Sequence, residues 1–246
     1  MSEPAAVEFQ NVVKTFGNRR VLDDVSFKVS EGEALCIMGR SGTGKSVTLK
    51  LMIGLLKPDS GRVCIGSEDI VHSDEKDLSR VRRHMGFLFQ SAALLDSFTL
   101  GDNLALPLRR LDKSKSAAEI AQAVDETLER VGLNMDKAKM PSELSGGMRK
   151  RAGLARALIL HPKLLLVDEP SSGLDRITAS EIDDLLLKVK RQYCSTLVIV
   201  THDVRGARKV GDRLAVLDKG CLLGIGTPAE MDKSDHEIVR QLVSES

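Results

Sequence analysis

Polar and apolar residues alternate at the start of the chain. Val7 and Phe9, then Val25, Phe27 and Val29, are set at the two-residue period of half-buried strands. Glu31 and Gly32 mark a turn. EALCIM, at 33–38, is apolar without alternation and predicts a short strand buried on both faces. A glycine-rich segment, GRSGTGKS, follows it. From Ser46 the period lengthens: Leu49, Ile53 and Leu56 share one side of a predicted helix that runs to Pro58. PDSG reads as a turn, RVCIG as a strand, SDEKD (73–77) as a short solvated loop, and MGFLFQ (85–90) as a strand closing on a polar residue.

Between about 91 and 161 the pattern is mostly helical, with Ile120, Val124, Thr127, Leu128 and Val131 at three- and four-residue spacing and Gly132 as a stop. Strand–helix alternation then resumes. KLLLVDE, TLVIVTH and RLAVLD predict buried strands, and Ile182, Leu185, Leu186 and Val189 line a helix. Buried strands alternating with helices imply an α/β fold with a mainly parallel, doubly wound sheet. The helical stretch 91–160 reads as an insertion between 1–90 and 161–246, all within one domain.

Composition narrows the field. In 246 residues, 36 Lys and Arg meet 35 Asp and Glu, so a net charge of +1 offers no global field for nucleic acid. Aromatics make up 3% with no Trp, too few for base-stacking platforms. Cys36, Cys64, Cys194 and Cys221 form no CxxC pair, and three sit in apolar runs; they predict buried free thiols in a reducing compartment. No apolar run approaches a membrane span, and the N-terminus lacks a signal-peptide pattern. A cytoplasmic protein is the expectation.

GRSGTGKS fits G-x-x-x-x-G-K-[ST] at Gly39, Gly44, Lys45 and Ser46, between a strand and a helix, the context of a P-loop. The cradle comprises Gly39, Arg40, Ser41, Gly42, Thr43, Gly44, Lys45, Ser46 and Val47. Its glycines let backbone N–H groups turn toward phosphate oxygens, and the helix start adds partial positive charge. Lys45 reaches the terminal phosphates and Ser46 can ligate Mg²⁺. LLLVDEP places Asp168 at a strand end to hold the metal, and Glu169 beside it to polarise water. His202 ends TLVIVTH, where strand ends converge on a ligand crevice, and could sense the γ-phosphate. Gln90 ends another strand, where it could bind the metal or its water.

A second glycine pair, in LSGGMRKR at 144–151, sits between these motifs. The order of P-loop, Gln90, LSGG, DE strand, Ser172 to Asp175 and His202 resembles that of an ATP-binding-cassette (ABC) ATPase over nearly the whole chain. The resemblance implies a P-loop NTPase with N-terminal antiparallel β strands and an inserted α-helical subdomain. It implies a head-to-tail homodimer in which each ATP is held by one subunit's P-loop and by Ser145, Gly146 and Gly147 of the other. It also implies Phe16 as the aromatic stacked on adenine, Asp175 as a residue shaping the partner site, Glu169 as catalytic base and His202 as switch histidine. A core aromatic is the other reading of Phe16. The cofactors implied are ATP and Mg²⁺.

Met148 stands where this family commonly has Gln. Together with MPSELSGGM, FQSAALLDSFTLGDNLALPLR and HEIVRQLV, it resembles the Mla-type ATPases, which energise phospholipid movement with MCE-domain partners. That resemblance implies integral-membrane permease subunits docked near 90–102, an MCE-domain lipid-binding partner, and a place on the cytoplasmic face of the inner membrane. The run Arg149, Lys150, Arg151 reads as a solvated or interface-facing helix start, with no nucleic-acid partner. Other readings have less behind them. One is the ATPase of an importer for another small solute. A soluble ABC ATPase usually carries two cassettes or a long coiled-coil insert, a GTPase would want an NKxD-type motif, and a small-molecule kinase would not need LSGG.

Overall fold

The computed structural model describes residues 5–244. In chain order the strands and helices are β1 (Ala5–Phe16), β2 (Arg19–Ser30), β3 (Ala34–Met38), α1 (Lys45–Met52), β4 (Ser60–Ile65), β5 (Glu68–Asp69), α2 (Glu75–Arg82) and β6 (Met85–Leu88). The helical stretch holds α3 (Leu100–Leu111), α4 (Ala117–Arg130) and α5 (Gly146–Leu158). The remainder is β7 (Leu164–Asp168), α6 (Arg176–Tyr193), β8 (Thr196–Thr201), α7 (Val204–Val210), β9 (Arg213–Asp218), β10 (Cys221–Gly226), α8 (Pro228–Asp232) and α9 (Glu237–Val243).

Two sheets form. An antiparallel sheet runs β2-β1-β4-β5, and a larger sheet runs β10-β9-β3-β8-β7-β6. In the larger sheet β9, β3, β8, β7 and β6 are parallel, and β10 pairs antiparallel with β9 at the edge. Its central strands divide their residues between two cores by the two-residue pleat. Leu35 and Ile37, Leu164 and Leu166, and Val198 and Val200 face the antiparallel sheet and α1. Cys36, Leu165 and Val167, and Leu197 and Ile199 face the layer of α5, α6 and α7. Burial on both faces is why these strands read as unbroken apolar runs.

Four expectations need correcting. The helix after the P-loop stops at Met52, short of Pro58, because Gly54 turns left-handed at φ 68°. Arg82 closes that end, its guanidinium donating to the Ile53 and Gly54 carbonyls at 2.8 and 3.1 Å. SDEKD is the start of α2, not a loop: Asp74 accepts from the Asp77 N–H at 2.8 Å as an N-cap. The cysteines are free, but Cys36 alone is fully buried; Cys64 is half-buried, and Cys194 and Cys221 are exposed at a helix end and an edge strand. Lys150 is buried rather than solvated, at 6% exposure.

Behind the site, Asp183 of α6 packs against α7. A Cβ built on Gly206 would stand 2.9 and 3.1 Å from its two carboxylate oxygens and 3.1 Å from one of Asp203. Burial, then repulsion from Asp203, push the Asp183 carboxyl from 3.8 up to about 6. Stability drawn from the neutral acid is fully present below pH 3.8 and is lost as pH rises through about 6. Asp183→Asn should therefore stabilise the fold at neutral pH by about 1–2 kcal/mol and flatten the pH dependence across that window. Thermal unfolding of both proteins at pH 4 and pH 7 checks this; an equal gain at both would show that the charge is not the cause.

Candidate functional site

β3 is held between β8 and β9, so its C-terminal end at Met38 delivers the chain to the middle of the sheet's edge. The P-loop turns there and enters α1. Gly44 is required by this geometry: its φ is 103°, and a Cβ would lie 2.7 Å from the Val21 carbonyl oxygen. No side chain caps α1. Its first-turn N–H groups are thus available to an anion, with the helix dipole behind them.

A cleft of about 550 Å³ opens over this turn, a volume suited to a small ligand. Ser41, Gly42, Gly44, Lys45, Ser46 and Val47 form its floor. Gln90, Glu169, His202 and Phe16 also line it. Gly39, Arg40 and Thr43 do not line it. They shape the loop from behind, where the Thr43 hydroxyl donates to the Arg40 carbonyl at 2.9 Å. Phe16 is 45% exposed at the end of β1, which removes it from the core. The Lys14 ammonium lies 5.5 Å from its ring centroid, so the π-face already meets a cation.

The Lys45 ammonium is buried and donates to the carbonyls of Gly39 at 2.8 Å and Arg40 at 3.1 Å. It stands 3.9 Å from Glu169 Oε1. Burial lowers its pKa, opposed by Glu169 and Asp168. The Ser46 hydroxyl donates to Asp168 Oδ1 at 2.9 Å. Burial raises the Asp168 pKa; the Ser46 bond counters it and the Glu169 charge adds to it. A hydroxyl and a buried carboxylate at contact distance are hard oxygen donors, the set that Mg²⁺ takes together with nucleotide phosphates. Asp168 lies behind Ser46 rather than on the cleft wall.

Glu169 follows β7 in a left-handed backbone, φ 49°. Its N–H donates to the Val200 carbonyl at 2.8 Å, and its Oε2 lies 2.7 Å from His202 Nδ1. The glutamate and histidine thus form one unit across β7 and β8. Gln90 lies two residues beyond β6, exposed, in the segment leading to the helical layer.

The second glycine pair is elsewhere. Among the described residues, no member of 144–148 lines the cleft. Ser145 caps α5, its hydroxyl oxygen accepting from the Met148 N–H at 3.2 Å, and stays exposed with its own proton free to donate. Gly146 is exposed, whereas Gly147 is buried against α6: a Cβ there would lie 2.5 Å from Thr178 Cγ2. Met148 is half-buried and packs on the helical core. Asp175 caps α6, accepting from the Ile177 and Thr178 N–H groups and the Thr178 hydroxyl.

Sequence reasoning passed over three residues. Arg19 and Val21, just after the β1–β2 turn, also line the cleft, and the Arg19 guanidinium donates to the Gly42 carbonyl at 2.7 Å. The pair of arginines in FGNRRVL was the available signal. Lys150 was read as surface, yet its ammonium donates to the Gln90 carbonyl at 2.6 Å and the Glu169 carbonyl at 2.7 Å.

A P-loop at the head of a parallel sheet, a buried metal-binding carboxylate and an adjacent glutamate–histidine pair define a P-loop nucleoside triphosphatase. The particular family follows from comparison: residues 22–172 match the family model described as ABC transporter, and this chain belongs to that family as an ATP-binding subunit. It is 44% identical over 239 residues to the probable ribonucleotide transport ATP-binding protein mkl of Mycobacterium leprae, covering 97% of this chain and 69% of that protein. It is 38% identical over 244 residues to the methionine import ATP-binding protein MetN of Cupriavidus metallidurans, covering 97% and 70%. The chain thus spans about two thirds of the length of these curated relatives. Among solved structures, the dimeric post-hydrolysis state of the ATP-binding cassette MJ0796 bound to ADP and Pi aligns with a TM-score of 0.84 at 34% identity, covering 90% of this chain and 98% of that one. The family's reaction is ATP hydrolysis with Mg²⁺; here Lys45 and Ser46 line the cleft, and Asp168 stands behind Ser46.

Proposed function

We propose that two copies of this chain pair head to tail around two Mg·ATP, hydrolyse them, and drive a membrane permease that moves phospholipid. The observation that carries the pairing is the separation of the two cradles. The P-loop cleft has no contribution from Ser145, Gly146 or Gly147 of its own chain. A two-fold axis presents each exposed patch to the complementary patch on the partner. MJ0796 is dimeric in its post-hydrolysis state.

In this reading Lys45 and the P-loop N–H groups bind the β- and γ-phosphates, Ser46 and Asp168 hold Mg²⁺ with help from Gln90, and Phe16 stacks on adenine. Bound there, Mg²⁺ would supply neutralisation of the charge that develops on the phosphates. Glu169 accepts the proton of the attacking water. His202 donates Nδ1–H to Glu169 and, in its imidazolium form, donates Nε2–H to a γ-phosphate oxygen. Asp175, exposed next to α5 (the signature helix, which opens on the LSGG glycines), shapes the partner's site.

The permease docks beside Gln90, at the segment before α3. Asn103 is buried and grips this segment: its amide oxygen accepts from the Leu95 N–H, and its NH₂ donates to the carbonyls of Leu95, Phe98 and Thr99. With their backbone so fixed, Leu95 and Phe98 are left 40% and 37% exposed, an apolar pair suited to a partner helix. Among the described residues no helix is long and apolar enough to cross a membrane. In this reading the permease holds the chain on the cytoplasmic face of the inner membrane.

The lipid assignment, with an MCE-domain partner, draws on the Mla-type wording of 140–148, of 89–109 and of 236–243. Relatives named for ribonucleotide and methionine transport support a second reading, an importer of a small polar solute. The test is ATPase activity of the complex purified with its permease in detergent. Stimulation by phospholipid, and none by ribonucleotide or methionine, supports the lipid reading. Stimulation by either solute alone overturns it.

A further inference from the structure

Lys150 occupies a place that neither the phosphate contacts nor the dimer explains. It lies in the first turns of α5, three residues after Gly147. Its side chain turns inward, and 6% exposure leaves the ammonium almost without water. A buried ammonium is unfavourable unless its N–H bonds are satisfied. Here they go to two backbone carbonyls, Gln90 at 2.6 Å and Glu169 at 2.7 Å. Burial draws its pKa down, with Asp168 and Glu169 opposing.

Those carbonyls belong to two residues that line the cleft together with the P-loop. Glu169 is the more telling. Its left-handed backbone is unfavourable for a residue with a Cβ, and persists only where its surroundings hold it. Several anchors do so: the N–H donates to Val200, the carboxylate meets His202 and, at 3.9 Å, Lys45, and the carbonyl accepts from Lys150 and from the Ser172 N–H at 3.3 Å. Of these, only Lys150 comes from the helical layer. One cation therefore ties α5, the Gln90 segment and the Glu169 peptide together.

We propose that Lys150 is a positioning residue for ATP hydrolysis: it holds the Glu169 peptide so that the carboxylate is aimed at the attacking water only while α5 is docked. The inference rests on the hydrolytic role of Glu169 proposed above. It links the signature helix of one subunit to that subunit's own catalytic glutamate, so that a shift of α5 reaches both P-loop sites. Lys150 itself touches neither nucleotide nor metal in this scheme.

The test is steady-state and single-turnover hydrolysis of Mg·ATP by the purified full chain. Lys150→Met keeps the stem and removes the donors; it should lower kcat about 10–30-fold with KM within about 3-fold. On a Glu169→Ala background the same change should cost less than about 2-fold more, because its effect passes through Glu169. Should Lys150→Met fail to fold, Lys150→Gln, which keeps an N–H₂ donor, is read in the same way with a smaller loss. A merely structural lysine would raise KM and lower kcat together, or lower the Glu169→Ala rate by the same factor; either result overturns the inference, as does unchanged turnover. A wild-type chain with no Mg·ATP turnover removes the hydrolytic reading itself, a different outcome from wild-type turnover that Lys150→Met leaves intact.

Discussion

Glu169→Gln should bind Mg·ATP normally, lose turnover by about 10²–10⁴-fold and accumulate as a closed dimer. The side chain keeps its size, so the 2.7 Å contact to His202 can persist, with the amide oxygen accepting from Nδ1–H. The left-handed peptide, held by Val200 and Lys150, has no reason to move. What disappears is the one carboxylate that lines the cleft among the described residues, and with it the group that can take a proton from water. Bound ATP then continues to bridge two subunits, since nothing converts it to a form that holds them less well. Light scattering with and without Mg·ATP should show monomer turning to dimer at nucleotide concentrations where the wild type cycles back. Turnover within about threefold of wild type would take Glu169 out of the chemistry.

How much of this site could be read from the linear chain follows from where its contacts lie. The P-loop is contiguous, so its spacing alone announces it. Asp168, Glu169 and His202 sit at or just past the ends of buried strands, and an apolar run followed by a polar residue marks such an end without knowledge of the partner strands. Other features need distant residues. Lys150 looks like one of three surface cations because its two acceptors are backbone carbonyls 60 and 19 residues away, and carbonyls carry no sequence signal. Arg19 likewise reaches the P-loop across 23 residues. α2 hid because only Leu78 and Val81 among its eight residues are buried, too few to establish a helical period. The cysteines misled for the opposite reason. Apolar neighbours suggested burial, but Cys194 closes α6 and Cys221 opens the edge strand β10, both at the surface.

Lys45→Ala alone should reduce turnover by at least about 100-fold, and so should Ser145→Ala if its hydroxyl meets a phosphate on the partner. The lysine is buried, with its carbonyl contacts to Gly39 and Arg40 already made, and it can exchange those for phosphate oxygens with little further ordering. Removing it takes away a charge-assisted contact worth roughly 1.5–3 kcal/mol in binding, and more where charge develops during transfer. The informative experiment mixes the two variants. A heterodimer of Lys45→Ala with Ser145→Ala has one site with both defects and one with neither, because each site takes its lysine from one chain and its serine from the other. Random pairing should restore about a quarter of wild-type turnover per chain if the sites act independently, since half the dimers carry one intact site of two. If lysine and serine served the same nucleotide within one chain, every site in the mixture would lack one of them and no activity would return. Recovery on mixing therefore separates a composite site from a second cradle on the same chain, and its absence would remove the head-to-tail dimer from the mechanism.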